Sequence, residues 1–255
     1  MRVSPDLETR LTHASPPITA VLVVAHGDGG DARLNGNVQH LAGQLARRLD
    51  VGVDWAVLKQ PESFTAARAR LGVAADGRVL VFPLFMSDGY FVRIKLPGIL
   101  IDQGFADTER MTPFGLMEPL VDLIEHRLKS LASLSGGFAP HDLPILLVAH
   151  GSRSGEPASR QRAEAIAATL SLRGLGTIHL AFIEEPPSVA EQLAALDPTI
   201  VVGLFASQGT HALDDVKALV DARPGVLHHV AAIGTDAAVA EMVIEAIDRH
   251  RRLPR

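Results

Sequence analysis

The sequence predicts an α/β protein built from two similar units, each a mostly parallel β-sheet flanked by helices. Two observations support this fold class. Short apolar runs bounded by glycine, typical of buried parallel strands, alternate with stretches whose apolar residues recur at helical spacing. Sequence patterns of the first half also recur, in the same order, in the second half. Alternating strands and helices imply parallel sheets, and a long repeat of this kind indicates a duplicated domain.

Three pairs of segments carry the repeat. Residues 22–28 (LVVAHGD) match 146–152 (LLVAHGS), and 84–89 (LFMSDG) match 204–209 (LFASQG). The pair Phe114-Gly115 matches Ile233-Gly234. Three matches in the same order are hard to obtain by chance. We therefore expect one domain over 18–134 and a second over 144–251, related by an approximate two-fold axis with a cleft between them.

The first unit follows a tail over 1–17 and is predicted to contain four strands and four helices. The predicted strands are 18–25, 51–58, 78–85 and 110–114. The predicted helices are 34–49, 61–71, 92–101 and 117–134. Pro97 falls inside the third helix, which we expect it to interrupt or bend, because proline lacks the amide hydrogen.

A segment rich in glycine and proline, 135–144, links the units, and the second unit repeats the order of the first. The predicted strands are 145–149, 177–182, 200–205 and 226–232. The predicted helices are 158–172, 188–196, 212–222 and 236–251.

Composition excludes several classes of protein. The chain has no cysteine, so it can hold neither an iron–sulfur cluster nor a thiolate zinc site. Its formal net charge of −5 argues against nucleic-acid binding. Its polar N-terminus lacks the apolar core of a signal peptide, and its apolar runs are too short to span a bilayer. We expect a cytoplasmic enzyme without a membrane partner, as a monomer or weak homo-oligomer.

Three candidate metal ligands follow consecutive strands of the second unit. His150 follows the first strand, Glu184 the second and His211 the third. If those strands are neighbours in a parallel sheet, the three side chains converge at one edge. Two imidazoles and a carboxylate form an open site that suits Co²⁺, Fe²⁺, Ni²⁺ or Zn²⁺. Asp215, four residues after His211, either orients the His211 ring or stabilises the first turn of a helix.

These motifs resemble the class II tetrapyrrole chelatases, in particular the sirohydrochlorin cobaltochelatases and ferrochelatases of the CbiX type. The resemblance rests on the segments 149–152 (AHGS), 182–188 (FIEEPPS) and 204–215 (LFASQGTHALDD). It implies a chelatase-like fold and lyase-class insertion of a divalent metal into sirohydrochlorin, within cobalamin- or siroheme-type biosynthesis. The metal is then a substrate, with Co²⁺ the first choice and Fe²⁺ or Ni²⁺ the alternatives. The resemblance assigns His150, Glu184 and His211 to the site without deciding which histidine is ligand and which is base.

The first unit departs from this pattern. It keeps His26, but Lys59, Phe91 and Lys95 stand where the second unit has Glu184, His211 and Asp215. Phenylalanine has no lone pair for a metal, and protonated lysine does not coordinate one. We therefore expect a single active site, in the second unit.

A substrate rich in carboxylates needs cationic partners. Candidates for this role are Lys59, Arg93, Lys95 and Arg153, whereas Arg160 and Arg162 are interpreted as solvated surface. The histidines at 40, 126 and 250 are interpreted as surface residues as well. Two other functions stay open: a non-catalytic carrier of the tetrapyrrole or metal, and a metal-assisted hydrolase.

Overall fold

The computed structural model describes the chain in seven segments: residues 17–27, 35–72, 78–105, 107–136, 138–139, 141–207 and 211–252. The side chains of 211–213 are not part of this description. Nearly all of the tail predicted over 1–17 falls outside the described residues. Each predicted strand and helix has a counterpart in the structure, in the predicted order.

The first half carries four strands and four helices in its described residues. The strands are β1 (Ile18–Ala25), β2 (Gly52–Val57), β3 (Arg78–Pro83) and β4 (Thr108–Arg110). The helices are α1 (Gly36–Ala46), α2 (Glu62–Leu71), α3 (Leu96–Asp102) and α4 (Pro119–Leu134). A π-helix (Phe91–Lys95) leads directly into α3, and a 3₁₀ turn (Phe114–Leu116) precedes α4.

The second half repeats this series in its described residues. The strands are β5 (Ile145–Ala149), β6 (Ile178–Phe182), β7 (Thr199–Gly203) and β8 (Val226–Val230). The helices are α5 (Ala158–Leu172), α6 (Val189–Ala195), α7 (His211–Asp221) and α8 (Val239–Arg252). A 3₁₀ turn (Ile233–Thr235) precedes α8, as its counterpart precedes α4.

The two sheets have the same topology. The strand order is β2-β1-β3-β4 in one and β6-β5-β7-β8 in the other, and every pairing is parallel. The predicted α/β fold with two similar parallel sheets is therefore confirmed. Because β5 lies between β6 and β7, the carboxyl ends of these three strands share one edge of the sheet.

Two elements differ from their predictions for local reasons. β4 covers 108–110, not 110–114, because the apolar residues Met111 and Phe114 pack into the core from the turn that follows the strand. The helix predicted over 92–101 is divided at Pro97, the second residue of α3. The proline cannot donate the usual helical hydrogen bond, and the preceding turn is a wider π-helix.

Alternation along the strands divides the core into three layers. In β1, Val21 and Val23 belong to the central layer, whereas Leu22 and Val24 belong to an outer layer under α2 and α3. A matching outer layer lies under α6 and α7. A fully buried aliphatic side chain in these layers contributes about 1.5–3 kcal/mol by leaving water.

The central layer is continuous across both halves. It contains buried residues of all four inner helices: Leu45 of α1, Ile124 of α4, Ile166 of α5 and Val243 of α8. Helix α1 contacts α8, and α4 contacts α5. Polar pairs reinforce the contact, including Arg48 with Glu241 at 2.8 Å and Arg173 with Glu125 at 2.6 Å. The halves are therefore joined by one apolar layer, and any cleft is confined to its rim. None of the described helices is long and apolar enough to cross a membrane.

Candidate active site

His150 and Glu184 lie side by side at the carboxyl edge of the second sheet. Their strands, β5 and β6, end at Ala149 and Phe182, but the parallel hydrogen bonding continues beyond both ends. The amide of Ile183 donates to the carbonyl of Ala149 at 3.1 Å, and the amide of Glu184 donates to the carbonyl of His150 at 2.9 Å. This register holds the two backbones together, so the structure brings these two predicted site residues together.

The turn after His150 requires a glycine. Gly151 has a φ of +71°, a conformation that residues with a side chain rarely adopt. A Cβ atom at this position would lie 2.7 Å from Cγ of Glu185 and 3.0 Å from Cβ of Phe182. The absence of a side chain lets the histidine turn pack directly against the segment that carries Glu184.

The carboxylate of Glu184 is largely buried and faces a cation. Its side chain is 17% exposed and pairs with Arg153, whose side chain is 83% exposed. The Oε2 atom of Glu184 is buried and accepts no hydrogen bond from the described residues. A buried carboxylate oxygen without a donor is costly unless a cation compensates it. The oxygen is thus suited to bind a positive ion.

His211 is the first residue of α7, which follows β7, the other neighbour of β5. The helix predicted over 212–222 thus begins one residue earlier, at His211, whose side chain falls outside the description. The described side chains do not include that of His211. Among them, no three histidine, aspartate or glutamate groups lie close enough together to hold a metal ion. Asp215 is exposed on α7.

The first half reproduces the backbone of the site with other side chains. The amide of Leu58 donates to the carbonyl of Ala25 at 3.0 Å, and that of Lys59 donates to the carbonyl of His26 at 3.1 Å. Gly27 has a φ of +83°, like Gly151 in the second half. Lys59 therefore occupies the backbone position of Glu184 and puts a positive charge where the second half has a negative one.

His26 is kept neutral by its surroundings. Burial lowers its pKa from 6.5 to about 4, helped by the positive charges of Lys59, Lys95 and His150, against a hydrogen bond with the Gly27 backbone that raises it. The contribution of His150 means that the two strand-end histidines, one from each half, interact electrostatically at the rim. The ring of His26 also meets the edge of Phe91, with ring centroids 4.6 Å apart.

An exposed apolar surface borders His26. It consists of Tyr90, Phe91 and Ile94, whose exposed fractions are 57%, 39% and 63%, and we call it the aromatic patch. The ammonium group of Lys95 lies 5.7 Å from the centroid of the Phe91 ring. This exposed apolar surface was not predicted from the sequence. The available signal was the chain's single tyrosine, directly followed by a phenylalanine, after the third strand.

The other cations predicted to bind carboxylates have distinct surroundings. Lys59 is exposed. Arg93 is exposed as well and pairs with Asp88 at 2.9 Å. Arg153 pairs with Glu184, as described above. The structure therefore brings Lys59 and Lys95 close to His26, and Arg153 close to Glu184.

Arg160 is not the solvated surface residue that we predicted. Its guanidinium carbon lies 4.1 Å from the centroid of the Phe182 ring, and its Nε donates to Oε2 of Glu185 at 3.2 Å. A second nitrogen donates to the carbonyl of Pro186 at 2.5 Å. Stacking and these hydrogen bonds hold the segment that follows Glu184.

The surface prediction is also wrong for Arg162. Its Nε donates to the carbonyl of Gly115 in the other half, and burial lowers its pKa. Arg162 borders a small cavity between the halves, with Met86 from the first half and Ala149 and Leu204 among its neighbours from the second. The arginine therefore connects the halves beside the rim.

The remaining histidines lie away from this edge or outside the core. His228 and His229 are in register with Ile200 and Val201, near the amino end of β7. His40 and His126 are exposed, as predicted. His250 is not a free surface residue, since its Nε2 lies 2.7 Å from a carboxylate oxygen of Glu109 in the first half.

Comparisons with known proteins agree with the motifs. The sequence model of the CbiX family matches residues 144–250. A solved structure of CbiX, described as the terminal enzyme for biosynthesis of siroheme in denitrifying bacteria, is 30% identical, with a TM-score of 0.77. That match covers 90% of this chain and 98% of that protein. A search of curated proteins found no match.

Two SirB structures share the fold at lower identity. SirB from Bacillus subtilis with Fe³⁺ is 17% identical, with a TM-score of 0.71 over 92% of this chain and 96% of that protein. The sirohydrochlorin chelatase SirB from Bacillus subtilis subspecies spizizenii, in complex with cobalt, is 17% identical, with a TM-score of 0.67 over 93% and 97%. The 30% identity between this protein and CbiX extends over 90% of the chain. This protein therefore belongs to the CbiX-type family of class II tetrapyrrole chelatases, which are lyase-class metal chelatases.

Proposed function

We propose that this protein inserts a divalent metal ion into sirohydrochlorin, with His150, Glu184 and His211 as the groups that receive the metal. One observation carries the proposal. His150 and Glu184 end neighbouring strands in hydrogen-bonded register, and the buried Oε2 of Glu184 accepts no hydrogen bond from the described residues. A histidine whose backbone is bonded to that of a largely buried glutamate, itself paired with a cation, suits a site for a first-row divalent ion.

The two halves have different tasks in this proposal. The domain over 144–251 holds the metal, and the domain over 18–134 holds the macrocycle. Lys59, Arg93 and Lys95 offer positive charge to the carboxylates of the ring. The aromatic patch offers an exposed apolar surface to the flat face of the ring.

The reaction exchanges two pyrrole N–H protons for one M²⁺ ion, without oxidation or reduction. The four ring nitrogens become ligands of the metal, and the two released protons need acceptors. A neutral imidazole accepts a proton or holds the metal near pH 7, and Glu184 balances the charge of the ion or takes the second proton. Lys59 and Lys95 cannot share these roles, since each is already protonated.

The candidate metals are Co²⁺ and Fe²⁺, with Ni²⁺ as a third. The sequence resemblance puts Co²⁺ first. The described function of the 30% identical relative, siroheme biosynthesis, favours Fe²⁺, because siroheme is an iron complex. Nitrogen and oxygen ligands accept all three ions, so metal supply contributes to the choice in the cell. The product belongs to cobalamin- or siroheme-type biosynthesis accordingly.

An anaerobic absorbance assay tests the proposal. Purified protein is mixed with sirohydrochlorin and with Co²⁺, Fe²⁺ or Ni²⁺ in parallel, and each rate is compared with the rate without protein. We expect a protein-dependent conversion of the spectrum with at least one metal. Binding of sirohydrochlorin without conversion by any metal would instead support the non-catalytic carrier.

A further inference from the structure

The carboxylate of Glu184 already has a cationic partner within the chain. Arg153, on the loop between β5 and α5, forms an ion pair with Oε2 of Glu184. No other described residue donates a hydrogen bond to this oxygen. Arg153 therefore supplies the compensating charge for a largely buried carboxylate in the metal-free protein.

The guanidinium of Arg153 is placed so that it can leave. Its side chain is 83% exposed, and among the described residues Glu184 is its ion-pair partner. The loop itself is held independently, since the hydroxyl of Ser152 lies 3.0 Å from that of Ser154 and accepts from the amide of Glu156 at 3.1 Å. Rotation of the arginine side chain into solvent thus leaves the loop backbone and the His150 turn in place.

A divalent ion and Arg153 compete for the carboxylate of Glu184, because both are cations and repel each other at close range. Arginine stays protonated at any physiological pH, so it cannot lower the repulsion by losing its charge. A metal ion bound to the carboxylate repels the guanidinium at close range and so weakens the ion pair. The displaced guanidinium then lies next to the site and can meet an anionic group of a bound ligand.

We propose that Arg153 is a positioning residue that exchanges between two anions, Glu184 in the metal-free protein and a carboxylate of the tetrapyrrole once the metal has bound. This proposal rests on the function proposed above and adds its regulation. Guanidinium binds carboxylate with two parallel hydrogen bonds, so a substrate acid is an effective second partner. Binding of the metal therefore strengthens binding of the ring, and by linkage the ring strengthens binding of the metal by the same factor.

The first half provides the internal contrast. Lys59 occupies the backbone position of Glu184, so the first half presents a cation at all times and has no carboxylate there to exchange. Among the described residues, the position two residues beyond the second strand carries an acid paired with an arginine in the second half and a lysine in the first. The exchange thus belongs to the half that holds the metal.

The first test measures Co²⁺ affinity by calorimetry on the full chain without tetrapyrrole. Removing the competitor in Arg153→Ala should tighten Co²⁺ binding about two- to five-fold, the upper range for an ion pair with an exposed partner. Arg153→Lys keeps a cation and should stay close to the wild type. In the Glu184→Gln background, Arg153→Ala should have no effect. Unchanged or weaker Co²⁺ binding by Arg153→Ala would overturn the proposal.

The second test measures the coupling. Cobalt-sirohydrochlorin, which cannot take a second metal, is titrated by absorbance with and without saturating Co²⁺. The wild type should bind it several-fold more tightly when Co²⁺ is present, and Arg153→Ala should show no such gain. Equal coupling in both proteins would contradict the exchange even if metal insertion proceeds. Absence of metal insertion by the wild type would instead contradict the proposed function, whatever the Co²⁺ affinities.

Discussion

The two strand-end regions of this protein have the same backbone and opposite chemistry. In each half, the second residue after the second strand donates its amide hydrogen to the carbonyl of the histidine that follows the first strand. The N–O distance is 3.1 Å between Lys59 and His26 and 2.9 Å between Glu184 and His150. The glycine after each histidine has a positive φ, +83° for Gly27 and +71° for Gly151. A few side chains therefore separate an edge that attracts cations from one that attracts anions. The comparison teaches that the sheet provides position and the side chains provide function.

The halves also share a structural glycine that serves packing alone. A Cβ atom on Gly115 would lie 1.9 Å from the carbonyl oxygen of Met86, and one on Gly234 would lie 2.2 Å from that of Ala206. Both glycine amides donate to the carbonyl of the phenylalanine that precedes the crowded residue, at 2.8 and 2.9 Å. This contact recurs in both halves, whereas the side chains of Lys59 and Glu184 beside the strand-end histidines differ.

The largest expected effect is a loss of metal insertion when His150 is substituted but not when His26 is. His150→Ala, Glu184→Gln and His211→Ala should each lower the rate of metal insertion by about 10²-fold or more, since each removes a ligand or a proton acceptor. His26→Ala is the matched control and should retain most of the activity, because Lys59 stands where the second half has Glu184. The anaerobic absorbance assay measures all four. A larger loss of activity in His26→Ala than in the other three variants would place the active site in the first half and contradict the proposed function.

The second prediction concerns the shared glycines. Gly115→Ala and Gly234→Ala should each destabilise the protein by about 3 kcal/mol, because the new methyl group meets a backbone carbonyl that cannot rotate away. Gly98→Ala is the control: it lies in α3 with nothing within 4 Å of the added Cβ, and it should stabilise by about 0.5–1 kcal/mol. Urea unfolding measures the three free energies. Equal effects at the three positions would show that the contact is not what requires glycine.

The third prediction concerns the cations of the first half. The double substitution Lys59→Ala with Lys95→Ala should raise the KM for sirohydrochlorin by about five-fold at low salt, in line with exposed charge contacts. The Co²⁺ affinity of the free protein should not change. Lys129→Ala is the control, since Lys129 pairs with Glu125 on α4.

Salt sharpens this third comparison. Mobile ions screen exposed charges, so the difference in KM between the double variant and the wild type should shrink at high ionic strength. A KM that the double substitution leaves unchanged at low ionic strength would assign a purely structural role to the first half.

The smallest expected effect is a pH dependence of stability from His26. Its pKa is about 4 in the folded protein and 6.5 as the ordinary value. Between these two pH values the unfolded chain binds more protons than the folded protein, so stability falls as the pH falls through this window. The partial exposure of His26 reduces the size of the effect.

His26→Ala should therefore flatten the decline of Tm between pH 6.5 and 4. Thermal unfolding followed by circular dichroism at several pH values measures it. His229, whose pKa is lowered by its burial, contributes in the same direction in both proteins, so only the difference between them reports on His26. Parallel Tm curves for the two proteins would mean that His26 titrates normally.

Much of the fold follows from patterns that are local in the chain. The bounds predicted for β1, β5 and α5 match the structure, because glycine or proline flanks each of these segments. The repeat predicted the second sheet from the first, which the common strand order confirms. β4 was misplaced because its three residues are polar and the apolar residues after it belong to a turn.

The site was predictable only in part. The order His150, Glu184, His211 along a parallel sheet predicts a shared edge without any knowledge of side-chain positions. Arg153 forms an ion pair with Glu184, and Arg160 stacks on Phe182. No rule of sequence spacing predicts either contact. Charge alone did not distinguish Arg160 from a solvated arginine, because the ring beneath it is visible only in three dimensions.

The apolar layer between the halves has a mechanical consequence for the reaction. Domains that close over a ligand by a hinge usually meet through small, polar interfaces. Here buried residues of all four inner helices pack into one continuous layer, and opening it would expose that surface to water. We therefore expect the two halves to keep a fixed separation at the rim. Under the proposed function, we expect this fixed rim to disfavour a macrocycle that is too thick or too strongly puckered.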